Sequence, residues 1–586
     1  MASATLALDM LTYGSVYHPL SYFYEGLSWG ICQTSPVSDC PKTSTAKTSA
    51  SSQSPGMVVT SHHKATEVGI KILKAGGNAV DAAVAIGYAL AVVDPCCGNL
   101  GGGGFMLIHF ANGKSKFINF REKAPLAATT NMYLDQKGRR IADASTQGYR
   151  AIAVPGTVMG LNQALAKYGR LSRQQVMAPA IALAETGFIL ETPDVRILRQ
   201  GNRKFLAQPN VSKIFLKHGK PLQTGDQLVQ KDLARTLRLL AKKGEQVFYQ
   251  GEIGQAIVRA SQQNGGILAT RDFKSYQISE AAPLRCIYRG YKVLTTPLPG
   301  GGVTLCQMLN ILEGYPLQKW GWETAPTLHV MLSSMLFAYS DRNTYLGDPN
   351  FVSNPVQQLI SKDYAKQIRS QIPPDQAIPP EQVQQISKSL EGTNTTHYSV
   401  KDRAGNAVAV TYTINSFFGA GVIAENTGFF LNNEMDDFAI QPGVANQFKL
   451  LQGERNAIAP GKQPLSSMTP TILTQNQQVV LVTGSPGGST IPTTVLQVIL
   501  NVVDHEMPIA AAVNATRIHY QGRPNVVLTE PFGLPKPTFL SLWEMGYRVA
   551  PFYPWGAAES IWFNPQTGLT EGGRDDRKPA GSAISF

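Results

Sequence analysis

Hydrophobic and polar positions recur along this chain with two periods, one typical of strands and one typical of helices. Residues 57–60 form an apolar run that predicts a short strand, and residues 62–73 carry the amphipathic pattern of a helix that ends at two glycines. Residues 78–93 predict a second, alanine-rich and buried helix. Because strands and helices mix throughout, the pattern predicts an α/β or α+β fold.

A run of four glycines precedes the next predicted strand. Residues 101–104 are all glycine and lead directly into an apolar stretch. Residues 116–121 predict a further strand, and Asn112 and Gly113 mark the turn between the two. We therefore expect an antiparallel pair that begins at the glycine run and ends near Arg121.

Two segments lack a periodic pattern. Residues 1–55 predict a leader that is not part of the core, and their last part is rich in serine, threonine and lysine and is expected to be flexible. Residues 371–394 are rich in proline and glutamine and are expected to be exposed. The periodic pattern resumes at Thr395, so a boundary in the organisation of the chain is predicted there.

A hairpin is predicted from residue 395 to residue 414, with its turn at residues 403–406. A turn centred near Ala404 places Thr395 opposite Thr413. The two hydroxyl groups then lie within reach of each other. An ordinary hairpin with a threonine pair accounts for the same pattern.

A glycine-rich loop, residues 484–489, joins a predicted strand to a predicted apolar helix. Consecutive backbone N–H groups at Gly487 and Gly488, together with a helix N-terminus, favour an anion. The loop lacks the lysine of a Walker motif, which disfavours phosphate binding. An oxyanion hole and a purely structural turn both remain open.

Three other segments concentrate polar groups that suit a charged ligand. Residues 431–438 contain three carboxylates and two amides, which can bind a cation or an ammonium group. Ser466 and Ser467 stand between two prolines that stiffen their loop. Arg121 can hold a carboxylate with two parallel hydrogen bonds. The simpler alternatives are solvated carboxylates and a surface arginine paired with Glu122.

Composition excludes several classes of protein. The chain has 586 residues, of which 43% are hydrophobic and 16% charged, so it can bury a large core and is not a disordered protein. The net charge of +12 is spread along the chain without basic runs, which disfavours a nucleic-acid groove. No apolar run is long enough to cross a membrane, and the first residues do not resemble a standard signal peptide.

The cysteines and histidines predict neither a metal site nor a catalytic triad. Six cysteines without a CxxC motif indicate neither a disulfide scaffold nor zinc, and packing is expected for Cys96 and Cys97, with a bridge left open. The histidines lack the spacing of metal ligands, and His62, His63 and His397 are expected to be structural or exposed. A GxSxG nucleophile motif is absent.

Taken together in chain order, seven segments resemble those of the gamma-glutamyltranspeptidases, also called glutathione hydrolases. The resemblance runs from about residue 58 to residue 586, and its most specific segments are NLGGGGFML, FREKAP, TTHYSV, VTYTIN, LNNEMDDF, PLSSMTPTI and TGSPGGS. It implies the four-layer αββα sandwich of the N-terminal nucleophile hydrolases. It also implies an inactive precursor that cleaves itself at the Asn394–Thr395 bond, with residues 56–394 as the large subunit and 395–586 as the small catalytic subunit.

The same resemblance implies a role for each candidate residue. Thr395 is the implied nucleophile of both self-cleavage and catalysis, and its freed α-amine is a general base of suitable pKa. Thr413 orients it, and the N–H groups of Gly487 and Gly488 stabilise the oxyanion. The implied residues that hold the α-carboxylate of a γ-glutamyl group are Arg121, Ser466 and Ser467. Those that hold its α-ammonium are Asn415, Glu434 and Asp437.

The implied substrates are glutathione and other γ-glutamyl compounds, with water, amino acids or peptides as acceptors and with no metal, cofactor or nucleic acid. Glu434 stands where some bacterial members have glutamine. Phe448 stands where a lid tyrosine is expected, so the ring is kept and the hydroxyl is lost. The family implies a periplasmic or extracellular location, which the leader does not support.

Three alternatives predict different features. A glutaryl-cephalosporin acylase shares the fold and the nucleophile, but its substrate lacks the ammonium that Glu434 and Asp437 would face. A catalytically inactive homologue predicts a lost nucleophile or a broken glycine loop. A nucleotide-binding protein predicts a Walker lysine. The γ-glutamyl enzyme is therefore the leading hypothesis.

Overall fold

The structure is a computed structural model of the chain, and residues 55–383, 395–440 and 452–586 are described. The predicted leader, except its last residue, therefore lies outside the described residues. So do Asn394, at the predicted cleavage site, and the predicted lid residue Phe448.

Twenty strands are assigned among the described residues. In chain order they are β1 Met57–Thr60, β2 Gly103–His109, β3 Ser115–Asn119, β4 Phe188–Ile189, β5 Leu216–Lys217, β6 Lys220–Pro221, β7 Gln227–Leu228, β8 Ser279–Ala281, β9 Leu284–Tyr288, β10 Tyr291–Thr295, β11 Thr396–Lys401, β12 Ala407–Thr413, β13 Thr471–Gln475, β14 Gln478–Thr483, β15 Ile518–His519, β16 Val527–Thr529, β17 Val549–Pro551, β18 Ser560–Phe563, β19 Thr570–Gly573 and β20 Ser582–Ser585.

Twenty α-helices accompany them in the same part of the chain. They are α1 His63–Lys74, α2 Ala79–Val93, α3 Thr157–Tyr168, α4 Arg173–Thr186, α5 Thr192–Gln200, α6 Asn202–Ala207, α7 Pro209–Phe215, α8 Lys231–Lys243, α9 Gln246–Tyr249, α10 Glu252–Gln263, α11 Thr270–Ser275, α12 Gly302–Leu312, α13 Leu317–Trp320, α14 Ala325–Tyr345, α15 Val356–Leu359, α16 Lys362–Arg369, α17 Pro380–Val383, α18 Ile491–Val503, α19 Ile509–Asn514 and α20 Lys536–Glu544.

Two large antiparallel sheets form the centre of the fold. The first has seven strands in the order β20-β1-β11-β12-β2-β3-β8, and the second has six in the order β19-β18-β14-β13-β10-β9. The predicted hairpin, β11–β12, is at the middle of the first sheet, where Thr396 pairs with Tyr412. This is the register that places the preceding Thr395 opposite Thr413.

Alternation along the central strands assigns one face to each of two cores. Val58 packs in the core beneath the helices, whereas Val59 packs between the sheets. Strand β12 does the same, because Val408 and Val410 face the helices while Ala407 and Ala409 face the second sheet. The period of two thus gives each strand two buried faces.

Helices cover the outer face of each sheet. Helix α2 packs on β11 and β12, and all of its residues are buried. Helices α12, α14 and α18 form a second apolar core on the outer face of the other sheet. The order helix, sheet, sheet, helix is the four-layer αββα sandwich, so the predicted fold class is confirmed.

The predicted elements near the N-terminus agree closely with the structure. Strand β1 has the predicted bounds, and α1 and α2 each begin one residue late because His62 and Asn78 are N-caps. Strand β3 stops at Asn119, two residues before Arg121. Arg121 therefore lies in the loop beyond the strand, where the alternation of side chains between the two faces of the sheet does not fix its direction.

Two disulfides correct the prediction for the cysteines. Cys96 and Cys97 are buried, but they are bonded to each other, so packing is only part of their role. Cys286 and Cys306 join edge strand β9 to α12. The bridge was missed because sequence spacing does not reveal which strand and helix pack together.

Among the described residues, every helix is too short or too polar to cross a lipid bilayer.

Candidate active site

One small cavity, about 20 Å³ in volume, brings most of the predicted site residues together. Its walls come from segments that are far apart in the chain, because the loops at one end of both sheets converge there. The predicted residues that line it are Arg121, Thr395, Thr413, Asn415, Glu434, Asp437, Ser466, Ser467 and Gly488.

Thr395 lies at the beginning of β11 with its hydroxyl directed to Thr413. Thr395 Oγ1 donates a hydrogen bond of 3.3 Å to Thr413 Oγ1, which also accepts one of 2.8 Å from the backbone N–H of Asn415. Thr395 is only 5% exposed. The pairing predicted from the hairpin register is thus present, and the hydroxyl of Thr413 orients that of Thr395.

The glycine run explains how this hairpin is held. Strand β2 pairs with β12, and Gly103 lies opposite Thr413. A Cβ atom on Gly102 would come within 1.8 Å of the carbonyl oxygen of Thr413, which no side chain can do. The run therefore allows backbone to approach the residue that orients Thr395.

Polar contacts behind Thr395 anchor the start of β11. The hydroxyl groups of Thr396 and Ser61 lie 3.0 Å apart, and Ser61 Oγ donates to Asp94 Oδ2 at 3.2 Å. The ammonium of Lys578 is 3.7 Å from the same carboxylate oxygen. Because these groups are buried or nearly so, they hold Thr396 in place and with it the neighbouring Thr395.

Arg121 is one of two buried arginines that line the cavity. Its guanidinium is 1% exposed and donates to Glu434 and Asp437 through separate nitrogens. Glu122 Oε2 lies 3.5 Å from the same guanidinium. The simpler alternative of a surface arginine paired with Glu122 is therefore wrong, because the loop beyond β3 turns Arg121 into the interior.

One guanidinium thus faces three carboxylates in a nearly dry site. Burial raises the pKa of Glu122 to about 7, although Arg121 opposes the shift. Burial likewise raises the pKa of Glu434 well above its ordinary value, with Arg121 again opposing. Because charges of one sign outnumber the other, this group holds a proton more readily than isolated carboxylates do.

The two predicted serines line the same cavity as Glu434 and Asp437. The backbone N–H of Ser466 donates a hydrogen bond of 2.8 Å to Pro299 O. This bond holds the proline-flanked loop against the segment that precedes α12. Ser467 Oγ accepts a hydrogen bond of 3.1 Å from Arg342 on α14. Arg342 is buried and lines the cavity, yet nothing in its helical sequence context distinguishes it from a core residue.

Asn415 is held by its own backbone and by the segment of clustered carboxylates. Its φ angle is +72°, in the left-handed region, and its Nδ2 donates to Asn433 O at 3.0 Å. Asn432 in turn bonds Gly101 O and Ala153 O through its own Nδ2. The two adjacent amides therefore build the site, while Glu434 and Asp437 supply its charge.

The glycine loop places two backbone donors beside the start of α18. Gly487 and Gly488 have φ angles of +141° and +58°, which side chains disfavour. Neither N–H has a hydrogen-bond partner among the described residues. Gly488 also lines the cavity with Thr395, so the oxyanion interpretation is favoured over a structural turn.

Two further polar residues have structural roles. Asp436 accepts hydrogen bonds of 2.9 and 2.6 Å from Arg140 and Ser145, outside the cavity. His397 bonds Thr411 and Ser399 between the sheets, and burial lowers its pKa to about 3. This histidine is therefore neutral and structural, as predicted.

One grouping in the described part of the chain has the spacing of metal ligands, namely Asp94, Cys96 and Cys97. Its two sulfur atoms are joined in a disulfide, and metals bind the thiolate form of cysteine. The nearby ammonium of Lys578 also repels cations. These residues do not fit a metal site in this arrangement.

Comparison with known proteins identifies the family. The family model described as Gamma-glutamyltranspeptidase matches residues 65–585. A glutathione hydrolase proenzyme from a Pseudomonas species is 50% identical over 508 residues, covering 86% of this chain and 88% of the relative. One from Escherichia coli is 45% identical over 525 residues, covering 89% and 90%.

Solved structures agree with these matches. A cephalosporin acylase from Bacillus halodurans has a TM-score of 0.80 at 27% identity and covers 94% of this chain and 99% of its own. A gamma-glutamyltranspeptidase from Helicobacter pylori is 42% identical with a TM-score of 0.55, covering 58% of this chain and 97% of its own. The acylase thus shares the fold over nearly its whole length, whereas the sequence matches are strongest with glutathione hydrolases. The chain belongs to the gamma-glutamyltranspeptidase family of N-terminal nucleophile hydrolases.

Proposed function

We propose that this protein is a self-processing γ-glutamyltransferase and glutathione hydrolase in which Thr395 is the nucleophile. The observation that carries the proposal is a buried threonine hydroxyl in one cavity with a guanidinium and carboxylates. A γ-glutamyl group carries a carboxylate and an ammonium at one end and the reactive amide at the other. The charges of the cavity match the first end, and Thr395 matches the second.

Self-cleavage would create the catalytic form. Breaking the Asn394–Thr395 bond divides the precursor into a large subunit, residues 56–394, and a small subunit, residues 395–586, which stay together as a heterodimer. The new α-amine of Thr395 has a reference pKa of about 7.7–8.0. It therefore serves as a general base near neutral pH, and a histidine is not required.

Recognition of the donor would exchange ion pairs within the cavity. The α-carboxylate of the donor pairs with Arg121 and accepts from Ser466 and Ser467. The α-ammonium replaces the guanidinium as the ion-pair partner of Glu434 and Asp437 and donates a hydrogen bond to the side-chain oxygen of Asn415. Because Arg121 pairs with both carboxylates beforehand, a zwitterion replaces each charge by one of the same sign and leaves none unpaired.

The reaction then proceeds through an ester. Thr395 Oγ attacks the γ-carbonyl carbon as its proton passes to the α-amine, and Thr413 holds the hydroxyl in position. The N–H groups of Gly487 and Gly488 donate to the oxyanion. The C–N bond breaks, the leaving amine takes the proton, and water or an acceptor amine later attacks the ester.

The acylase alternative is less well supported. A glutaryl donor has the carboxylate but no α-ammonium, so it would displace Arg121 from Glu434 and Asp437 without replacing the cation. Two buried or half-buried carboxylates would then lack a counter-charge, which is costly. This argument favours a glutamyl donor.

The test joins processing to activity. Intact mass under denaturing conditions and N-terminal sequencing should give two chains, the smaller beginning Thr-Thr-His-Tyr. The same sample should release p-nitroaniline from γ-glutamyl-p-nitroanilide and little from its glutaryl counterpart. A folded, uncut chain without activity, or a preference for the glutaryl compound, would contradict the proposal.

A further inference from the structure

The charged cavity has a second guanidinium, that of Arg342 on α14. Arg342 is 1% exposed and lines the cavity together with Thr395 and Ser467. Its Nη2 donates a hydrogen bond of 3.1 Å to Ser467 Oγ, and its Nη1 donates one of 3.1 Å to Asn343 Oδ1. The side chain therefore reaches from the helix to the serine loop of the cavity.

Helix α14 is a firm support for this side chain. It has 21 residues, and those from Thr327 to Arg342 are all buried. Tyr339 lies three residues before Arg342 and so on the same face of the helix. Its hydroxyl donates to Ser489 O, directly after Gly488. One face of α14 thus contacts both the serine loop and the glycine loop.

The two serines of the cavity are held by different groups. Ser466 Oγ accepts a hydrogen bond of 3.1 Å from the backbone N–H of Met468. The carbonyl oxygen of Ser467 accepts one of 2.8 Å from Thr469 Oγ1, which fixes the backbone but not the side chain. Among the described residues, Arg342 is the one that bonds the hydroxyl of Ser467. The direction of that hydroxyl therefore depends on Arg342.

The bond from Arg342 also sets where the proton of Ser467 points. A serine hydroxyl has one proton to donate and accepts through its oxygen. Because the oxygen accepts from the guanidinium, the proton points away from Arg342, and no described residue accepts it. A charged donor polarises the hydroxyl that accepts from it, which makes that hydroxyl a stronger donor in turn. The proton is thus available to an anion in the cavity.

We propose that Arg342 is a positioning residue for the donor, which holds the Ser467 hydroxyl with its proton directed at the α-carboxylate. This inference rests on the proposed function and adds to it a residue that acts through Ser467. The positive charge behind Ser467 has a second effect. Arg121 is shared among three carboxylates, so an entering carboxylate meets repulsion there, and the guanidinium of Arg342 offsets part of it.

Three p-nitroanilide donors that differ by one group provide the test. The γ-glutamyl compound carries both the α-carboxylate and the α-ammonium, the glutaryl compound lacks the ammonium, and the 4-aminobutyryl compound lacks the carboxylate. In Arg342→Gln the kcat/KM of the first two should fall about tenfold through a higher KM, because a hydrogen bond to a charged group is lost. The value for the 4-aminobutyryl compound should change little. A merely structural arginine would lower all three alike.

A double-mutant cycle tests whether Arg342 acts through Ser467. If it does, Arg342→Gln in a Ser467→Ala background should cause little further rise in the KM for the γ-glutamyl donor. Ser466→Ala is the matched comparison, because its hydroxyl is held by backbone and not by Arg342. The effects of Arg342→Gln and Ser466→Ala on KM should multiply.

Two further variants separate the hydrogen bond from general damage. Arg342→Lys keeps the charge and N–H donors, so its loss should be smaller than that of Arg342→Gln. Arg369→Gln alters a half-buried arginine that donates to Asn310 O in α12, and it should leave the ratios among the three donors unchanged. Processing and thermal unfolding are measured for each variant. If Arg342→Gln is not processed, the donor series and the cycle are run with Arg342→Lys.

The outcomes distinguish the two proposals. If wild-type protein does not cleave the γ-glutamyl donor, the proposed function fails. If it does, but the Arg342 variant lowers all three donors equally, or its effect multiplies with that of Ser467→Ala, the positioning role alone is overturned.

Discussion

The two recesses that meet at Thr395 differ in volume and in the polarity of the residues that line them. The charged cavity is small, and the guanidinium of Arg121 is shared among three carboxylates. The cleft on the other side of Thr395, which is lined by α5 and by residues 577–580, is about ten times larger and mostly apolar. Its Arg196 has no ion-pair partner among the described residues. Under the proposed function, the charges of the first recess match the carboxylate and the ammonium of a γ-glutamyl donor.

The largest expected effect concerns the residue that both recesses share. Thr395→Ala removes the hydroxyl and should leave an uncut precursor with activity reduced by at least about 10³-fold. Thr395→Ser keeps a hydroxyl and should be processed and active. Denaturing mass measurement and donor hydrolysis check both, and a processed, active Thr395→Ala protein would remove Thr395 from the mechanism.

Arg121→Lys tests the charged cavity alone. Lysine keeps the charge but cannot bond Glu434 and Asp437 through separate nitrogens as the guanidinium does. We expect the KM for the γ-glutamyl donor to rise about 100-fold. Arg140→Lys alters an arginine that pairs with Asp436 outside the cavity and is the control. An unchanged KM for the donor in Arg121→Lys would show that the guanidinium does not hold the carboxylate of the donor.

Asp437→Asn tests whether the charge of Asp437 makes the enzyme prefer a γ-glutamyl donor to a glutaryl donor. The amide keeps the shape but loses the attraction for the α-ammonium, so the ratio of kcat/KM for γ-glutamyl over glutaryl anilide should fall about tenfold. Glu425→Gln alters an exposed carboxylate of the same part of the chain and should leave the ratio unchanged. An unchanged ratio in Asp437→Asn would mean that Asp437 does not face the ammonium.

The smallest effect is a change in the pH dependence of stability. The pKa of Glu122 is raised from 4.5 to about 7, so between these pH values the native state binds a proton that the unfolded state has released. Stability therefore falls as the pH rises through this window. In Glu122→Gln the fall should be smaller, as measured by denaturant unfolding at pH 4.5 and 7.5. An identical pH dependence would show that Glu122 is not the titrating group.

The pairing of Thr395 with Thr413 was readable from the sequence because it depends on local pattern. A turn and the alternation of two short strands were enough to set Thr395 opposite Thr413, and the register agrees. Strand β1 and helices α1 and α2 were predictable for the same reason, since periodicity and capping residues act over a few positions. The roles of the charged residues instead came from resemblance to a family.

Other parts of the site depend on contacts between distant segments. Arg342 sits in the middle of α14 with an ordinary helical pattern, and only packing brings it to Ser467. Glu122 looked like a surface partner of Arg121, but both are buried. The Cys286–Cys306 bridge was missed because β9 and α12 are neighbours only in the folded chain.

What the pattern of the sequence by itself determined was the mixture of strands and helices and the pairing of Thr395 with Thr413, because period, glycine positions and turn spacing are local, whereas the αββα class and the proposed residue roles came from resemblance to a family. What only the tertiary structure decided was which charges face one another and which stay unpaired. Those relations set the raised pKa of Glu122 and separate Arg196, which forms no described ion pair, from the paired Lys578 and Arg577 beside it. Burial and long-range electrostatics depend on residues hundreds of positions apart, and no local pattern encodes them.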